Sequence, residues 1–499
     1  MDRRQFLALS TAASLARLAP AQAAASARSF APNLDSLAGY KAPDWFRDAK
    51  FGIWNCWGPE SVPEFGDWYA RKMYIPGDPT YQQHLEAYGH PSKVGYKDMV
   101  PLWHGENWQP HRLMALYKKA GARYFFAIAQ HHDNIDCWNS TYHPWNSVKM
   151  GPKKDVIGIW GETARAHGLR YGVSEHLGAS WNWFGVSHLA DTAGPLAGVP
   201  YDGANPEYAS LYHSGDAQSD WHAWYHNAPV SFQMEWSRRV TDLIDQHQPD
   251  LVYSDGSLPF GQYGMDFLAH YYNTNIEHHA GRLEAVYFCK NNPDGGQFRN
   301  GFCVQDIERG VEDGINPLPW QTDTCIGDWY YKKGIKYKTP TTVVQMLVDI
   351  VSKNGNLLLS VPPRGDGTLD SQEEAILAEL ADWTSRNGEG IYATRPWRVF
   401  GEGHNGPKPG NFNEDQLTYT AEDIRYTTKG STLFAFALAW PAGGKLVLKS
   451  LTGSTPSSVR MLDGGDPLQF TREPGGLAIQ LPPTPRGAHA YALRIEGVA

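Results

Sequence analysis

The sequence has no excess of positive charge: 44 Lys and Arg stand against 53 Asp and Glu, a net charge of −9. A surface that tracks a phosphate backbone needs clustered cations, so no nucleic-acid partner is expected. Cysteine is scarce, with five in 499 residues. Cys56, Cys137, Cys289, Cys303 and Cys325 contain no Cys-x-x-Cys pair. An odd, scattered set suits neither a disulfide framework nor a structural zinc site, and several lie in apolar segments, so buried thiols are expected. Long apolar runs are also missing. The Ala/Leu stretch near the N-terminus is too short and interrupted to span a bilayer, and no other segment competes with it, so membrane insertion is not expected. No internal repeat or extended low-complexity tract is present, which excludes a repeat array.

What is present is a chain with 41% hydrophobic and 19% charged residues, long enough to bury a large core and to divide into more than one domain. It begins Asp2-Arg3-Arg4-Gln5-Phe6-Leu7 and reaches Ala21-Gln22-Ala23 after the apolar stretch. Paired arginines followed by Phe-Leu and a small-residue cleavage site read as a twin-arginine export signal over residues 1–30. The mature protein is then expected outside the cytoplasm, periplasmic or secreted. Export of an already folded chain agrees with a design that needs no disulfides. Nineteen Trp and 26 Tyr offer rings that stack on sugar C–H faces or fill an aromatic core.

Eight strand-like runs begin near Phe51, Tyr124, Arg170, Leu251, Ala285, Phe302, Thr322 and Asn356. Helical patterns lie among them, from Pro110, Val156, Phe232, Met265 and Thr341. The alternation predicts an α/β fold, a (β/α)8 barrel over residues 31–400 with a long excursion at 185–230. Past Trp397 short alternating runs at Ile424, Thr432, Lys445 and Leu477 predict a small antiparallel β-sandwich over residues 401–499.

In such a barrel the working side chains emerge where strands end. Asp255 directly follows the run Leu251 to Ser254 and precedes Gly256, which places it at the mouth or at the cap of the next helix. His131-His132-Asp133 closes the second run. Neighbouring histidines on an extended segment point apart, which favours contact with sugar hydroxyls over a shared metal, so neither metal nor cofactor is expected.

Several longer motifs in order point further. Trp45-Phe-Arg-Asp-Ala-Lys-Phe-Gly-Ile53, Gly66-Asp67-Trp68-Tyr69-Ala70-Arg71, Ala120-Gly-Ala-Arg-Tyr124 with His131-His132-Asp133, Pro249 to Gly256, and Asn354 to Leu359 with Gly388 to Tyr392 resemble the α-L-fucosidases of glycoside hydrolase family twenty-nine. The resemblance covers residues 40–400 and persists at Asp423-Ile-Arg-Tyr426.

It implies an exo-acting, retaining hydrolase of terminal α-L-fucosyl residues on glycans. Asp255 would be the nucleophile and Glu308 the acid and base, with Asp306 and Glu64 as rivals for the second role. The resemblance assigns Asp67, Trp68, His131 and His132 to fucose hydroxyls and Trp329 to the sugar methyl. It places Lys290 where the family has an arginine and Tyr253 where a tryptophan is common. Cys56 stands in place of a family histidine, Gln321 in place of a glutamate, and Asp67 shortens a carboxylate. These departures leave open a related exo-glycosidase, such as one for α-L-galactosides, or a carbohydrate-binding protein without catalysis.

Overall fold

The structure, a computed structural model, describes residues 29–213, 228–291, 296–299, 301–414, 418–453 and 455–498. The expected export signal falls almost entirely outside these residues. Eight parallel strands close into a barrel in chain order: β1 Phe51–Asn55, β2 Tyr124–Gln130, β3 Arg170–Glu175, β4 Leu251–Ser254, β5 Val286–Lys290, β6 Val304–Asp306, β7 Trp320–Cys325 and β8 Gly355–Ser360. β1 closes the ring by pairing with both β2 and β8.

The barrel interior is filled by aromatics seated over glycines. A Cβ on Gly52 would lie 2.3 Å from the Tyr124 ring and on Gly172 2.8 Å from Phe126. Small residues on one strand thus make room for large ones on its neighbour, and a packed core rather than a pore results.

Among the described residues six helices cover the barrel: α1 Pro110–Ala120, α2 Val156–Ala166, α3 Val230–His247, α4 Gln262–His278, α5 Pro340–Ser352 and α6 Ser371–Asn387. Their ends are encoded locally. Pro110 and Pro340 occupy first turns, where a missing N–H costs nothing. Asp155 accepts from Gly158 N, and Asp370 with Glu373 forms a capping box. The expected eight-stranded parallel barrel is present, though not every strand is followed by a helix. Among the described residues no helix follows β5 or β6, and Gly310, Gly314, Pro317 and Pro319 disfavour one in the β6–β7 connection. The excursion after β3 is built of short helical turns as far as Tyr212.

β9 Arg395–Glu402 opens the C-terminal unit, so the expected division at residues 400 and 401 falls inside a strand. With β10 Ile424–Lys429, β11 Thr432–Ala437, β12 Lys445–Leu448, β13 Ser458–Met461, β14 Phe470–Glu473, β15 Gly476–Gln480 and β16 Tyr491–Glu496 it forms two antiparallel sheets, of five strands and of three. They share a core that includes Ile424, Leu433, Leu446 and Ile479. Phe434 and Phe436 belong instead to the barrel's apolar cluster. Arg425 on β10 reaches α5, where its Nε lies 2.5 Å from Asp349 Oδ1, and Lys353 Nζ completes the buried group at 2.9 Å. Removing one partner would leave a buried charge unpaired, a loss of typically about 3–5 kcal/mol. Among the described residues no helix is long and apolar enough to cross a membrane.

Candidate active site

β4 ends at Ser254, and Asp255 stands at the mouth with its N–H donating to Glu175 O at 3.1 Å. Gly256 follows with φ +92°, where a side chain would be strained, and turns the chain away. The next helix, α4, is preceded by Gly261, so Asp255 is not its cap.

The Asp255 carboxylate receives four groups. Lys290 Nζ lies 2.5 Å from Oδ1 and the Tyr253 hydroxyl 3.5 Å from it; His132 Nε2 and His176 Nδ1 lie 3.3 and 3.4 Å from Oδ2. Burial pushes this carboxyl up, but Lys290, His176 and His132 together outweigh burial and hold it well below the usual carboxylate range.

The same Lys290 nitrogen is 2.5 Å from Glu308 Oε2. Two carboxylate oxygens touching one ammonium are at most twice that distance apart, well short of the about 6.5–9.5 Å separation of inverting glycosidases. Glu308 behaves in the opposite way to Asp255. Burial raises it to about 7 despite Lys290, and the nearby Asp323 and Asp255 charges add to the rise. Lys290 itself is drawn down by burial but held well above its ordinary value by Asp255, Glu308 and Asp323, so it remains charged.

Around this triad a cavity of about 750 Å³ opens. It is lined by Asp67, Trp68, His131, His132, Tyr253, Asp255, Lys290, Glu308 and Trp329, the nine residues first assigned to catalysis or sugar contact. The rivals for the acid lie elsewhere. Asp306 points into the barrel interior, accepting from Gln321 Nε2 at 2.9 Å, and burial raises it to about 6. Gln321 in turn accepts from the Tyr124 hydroxyl, below the cavity. Glu64 does not line the cavity; the buried carboxyl of the first loop is Glu60, 2.7 Å from His131 Nδ1.

The two neighbouring histidines do not point apart. β2 ends at Gln130, the chain leaves the extended form, and the His131 and His132 rings sit 4.4 Å apart, both on the cavity. His132 Nδ1 donates to His176 O at 2.9 Å, which fixes the tautomer if the ring is neutral. His176 is lowered to about 3 by burial, so it is neutral at working pH. His131, His132 and His176 bring nitrogens within 4.8 Å of one another and could hold a metal ion; the expectation against a shared metal therefore loses its geometric basis.

The loop that carries these histidines is clamped from behind. Arg239 of α3 is fully buried and donates to Asp136 at 2.6 Å and Asn134 at 2.7 Å, while Asp133 accepts from the Tyr96 hydroxyl at 2.5 Å.

An apolar wall faces them. Trp54 lies 5.5 Å from Trp329 and 5.3 Å from Tyr253, ring centre to ring centre. Trp54 Nε1, Asp67 Oδ1 and His176 Nε2 are buried without a protein hydrogen-bond partner among the described residues. An unpaired buried polar atom costs about 1–3 kcal/mol, and three on one cavity mark seats for a ligand rich in hydroxyls. Cys56 lines the cavity too; burial raises its thiol well above the ordinary value, and Ser360 Oγ at 3.8 Å is its polar neighbour. All five cysteines are buried and free, as expected.

Trp54, His176 and Asp323 are site residues that the sequence reading passed over. His176 directly follows β3, where the rule that located Asp255 also applies.

Comparisons with known proteins agree with this geometry. The family model for α-L-fucosidase matches residues 17–389, and that for the α-L-fucosidase C-terminal domain matches residues 416–496. Tissue α-L-fucosidase of Homo sapiens is 29% identical over 94% of this chain and 92% of its own length. Plasma α-L-fucosidase of the same organism is 29% identical over 92% of this chain and 89% of its own. Among solved structures, the Thermotoga maritima α-fucosidase in complex with fucose superposes with a TM-score of 0.72 at 26% identity, covering 93% of this chain and all of that one. The chain therefore belongs to the α-L-fucosidase family of glycoside hydrolases and hydrolyses α-L-fucosyl residues.

Proposed function

We propose that the enzyme is an exo-acting, retaining α-L-fucosidase in which Asp255 is the nucleophile and Glu308 the acid and then the base. The observation that carries this reading is the opposed behaviour of two carboxyls around one lysine: Asp255 is held ionised, and Glu308 is raised to about 7. Carboxyls pushed apart in this way divide the roles of nucleophile and proton donor.

In the first step an Asp255 oxygen forms a bond to the anomeric carbon as the glycosidic bond breaks, and Glu308 passes its proton to the departing oxygen. In the second, Glu308 takes a proton from water, which attacks the same carbon and releases Asp255. Two inversions give net retention. Lys290 holds both carboxyls in place and keeps the nucleophile ionised.

His131, His132, His176, Asp67 and Trp54 would take the fucose hydroxyls, and Trp68 and Trp329 would frame the ring and its methyl. Cys56 withholds a strong hydrogen bond that a histidine would give. Export, to the periplasm or beyond, rests on the Arg3-Arg4 pair and the stretch behind it.

Following the product anomer by NMR at early times tests the stereochemistry. α-L-Fucose appears first and then mutarotates; β-L-fucose as first product would overturn the retaining assignment.

A further inference from the structure

Residues 403–414, which follow β9, leave the sandwich and reach the barrel mouth. Gly410 pairs with Val311, its N–H donating to Val311 O at 2.9 Å, and the Phe412 N–H donates to Glu308 O at 2.8 Å. Beyond it, the buried Glu414 carboxylate accepts from Arg309 Nε at 2.7 Å, Thr324 Oγ1 at 2.6 Å and Lys338 Nζ at 2.9 Å. The approach is so close that a Cβ on Gly310 would lie 1.9 Å from Gly410 O.

This pinned strap nevertheless presents an uncovered ring. Phe412 has a φ of +57°, a strained value for a residue with a side chain, and at 66% it is the most exposed large apolar residue among those described. Scattered exposed apolar side chains are ordinary. Phe412 differs because its backbone is fixed on both sides, its amide is bonded to the carbonyl of Glu308, and its ring with Asn411 lines the catalytic cavity. That cavity, about 750 Å³, also exceeds what one deoxy sugar fills and lies in the about 300–1,000 Å³ range that encloses larger ligands.

We infer that Phe412 and Asn411 form the seat for the leaving-group sugar, so that the strap from the second domain selects which fucosylated glycans are cleaved. A hexopyranose aglycone would lay a C–H face on the Phe412 ring and offer hydroxyls to the Asn411 amide. The seat adjoins Glu308, where the departing oxygen must receive its proton. The inference rests on the assignment of Asp255 and Glu308 as the catalytic pair.

The test compares a fucosylated disaccharide with α-L-fucosyl fluoride, whose leaving group is a single atom and reaches no aglycone seat. In Phe412→Ala the ratio of kcat/KM for disaccharide over fluoride falls at least about tenfold. Phe412→Tyr, which keeps a ring, restores most of it. A loss on methyl α-L-fucoside equal to that on the disaccharide, since the methyl fucoside needs the same proton from Glu308 but carries no aglycone sugar, would show that the ring acts only by holding Glu308 in place, and an unchanged disaccharide-to-fluoride ratio would show that no aglycone sits there; either overturns the inference. A wild-type enzyme that fails to turn over the fluoride would instead sink the catalytic pair, and this inference with it.

Discussion

Asp255→Ala keeps its fold and hydrolyses an aryl α-L-fucoside about 10⁴–10⁶-fold more slowly than the parent, the scale seen when a nucleophilic unit loses a central member. The large effect follows from what the side chain supplies. No other carboxylate among the described residues lies against Lys290, His132 and His176 together, so no neighbour can take its place at the anomeric carbon. The fold survives because the deletion does not leave the buried Lys290 ammonium unpaired; Glu308 still holds it at 2.5 Å. Added azide enters the vacated space and attacks the anomeric carbon directly as the aryl group leaves, giving β-L-fucosyl azide. Near-normal turnover by the mutant, or azide product of the α configuration, would remove Asp255 from the nucleophile's role.

Glu308→Gln separates substrates by their need for a proton. Fucosides with sugar leaving groups lose about 10²–10⁴-fold in kcat/KM, the usual worth of general acid catalysis, whereas aryl fucosides with acidic phenols lose far less in the first step. The pH profile adds an independent reading. A carboxyl raised to about 7 is protonated and active below that pH and loses its proton above it, so the alkaline limb of the parent's kcat/KM falls near pH 7. Asp255, held well below the usual carboxylate range, is ionised throughout this interval and places the acid limb far lower. In Glu308→Gln the alkaline limb near 7 disappears. Equal losses on both substrate types, with the limb unmoved, would assign the proton to another group.

Much of this site was legible in the sequence because strand ends in a parallel barrel are positions with one physical meaning. Asp255 before a glycine, and Lys290 at the end of an apolar run, both follow from it. The same rule would have reached His176 had the third strand been carried through Glu175, whose polarity hid the strand's end; its carboxylate is buried and bonded to Ser254 and Trp236.

β7 was faint for a related reason. Gln321, Thr322, Asp323 and Thr324 are all buried, and each spends its polarity on a specific bond: Gln321 to Asp306 below the cavity, Asp323 to the Tyr253 hydroxyl at the cavity, and Thr322 and Thr324 to Gly310 O and Glu414. The missing helices after β5 and β6 could not be seen by counting strands, since closure of the barrel needs only the pairing of neighbours. Adjacent histidines read as opposed only while the segment is taken as extended, and the turn after Gln130 undoes that. The strap with Phe412 lies beyond local pattern altogether, because its position depends on contacts between residues about a hundred apart, such as Glu308 and Phe412.

The most direct test is to trap the intermediate with 2-deoxy-2-fluoro-α-L-fucosyl fluoride and map the modified peptide by mass spectrometry. Fluorine at C2 slows both steps, while the fluoride leaving group spares the first, so the covalent sugar accumulates as the C1–F bond is exchanged for a bond to the enzyme. A single fucosyl adduct on Asp255, absent from Asp255→Ala, is the predicted result; an adduct on any other residue, or time-dependent inactivation without one, would contradict it.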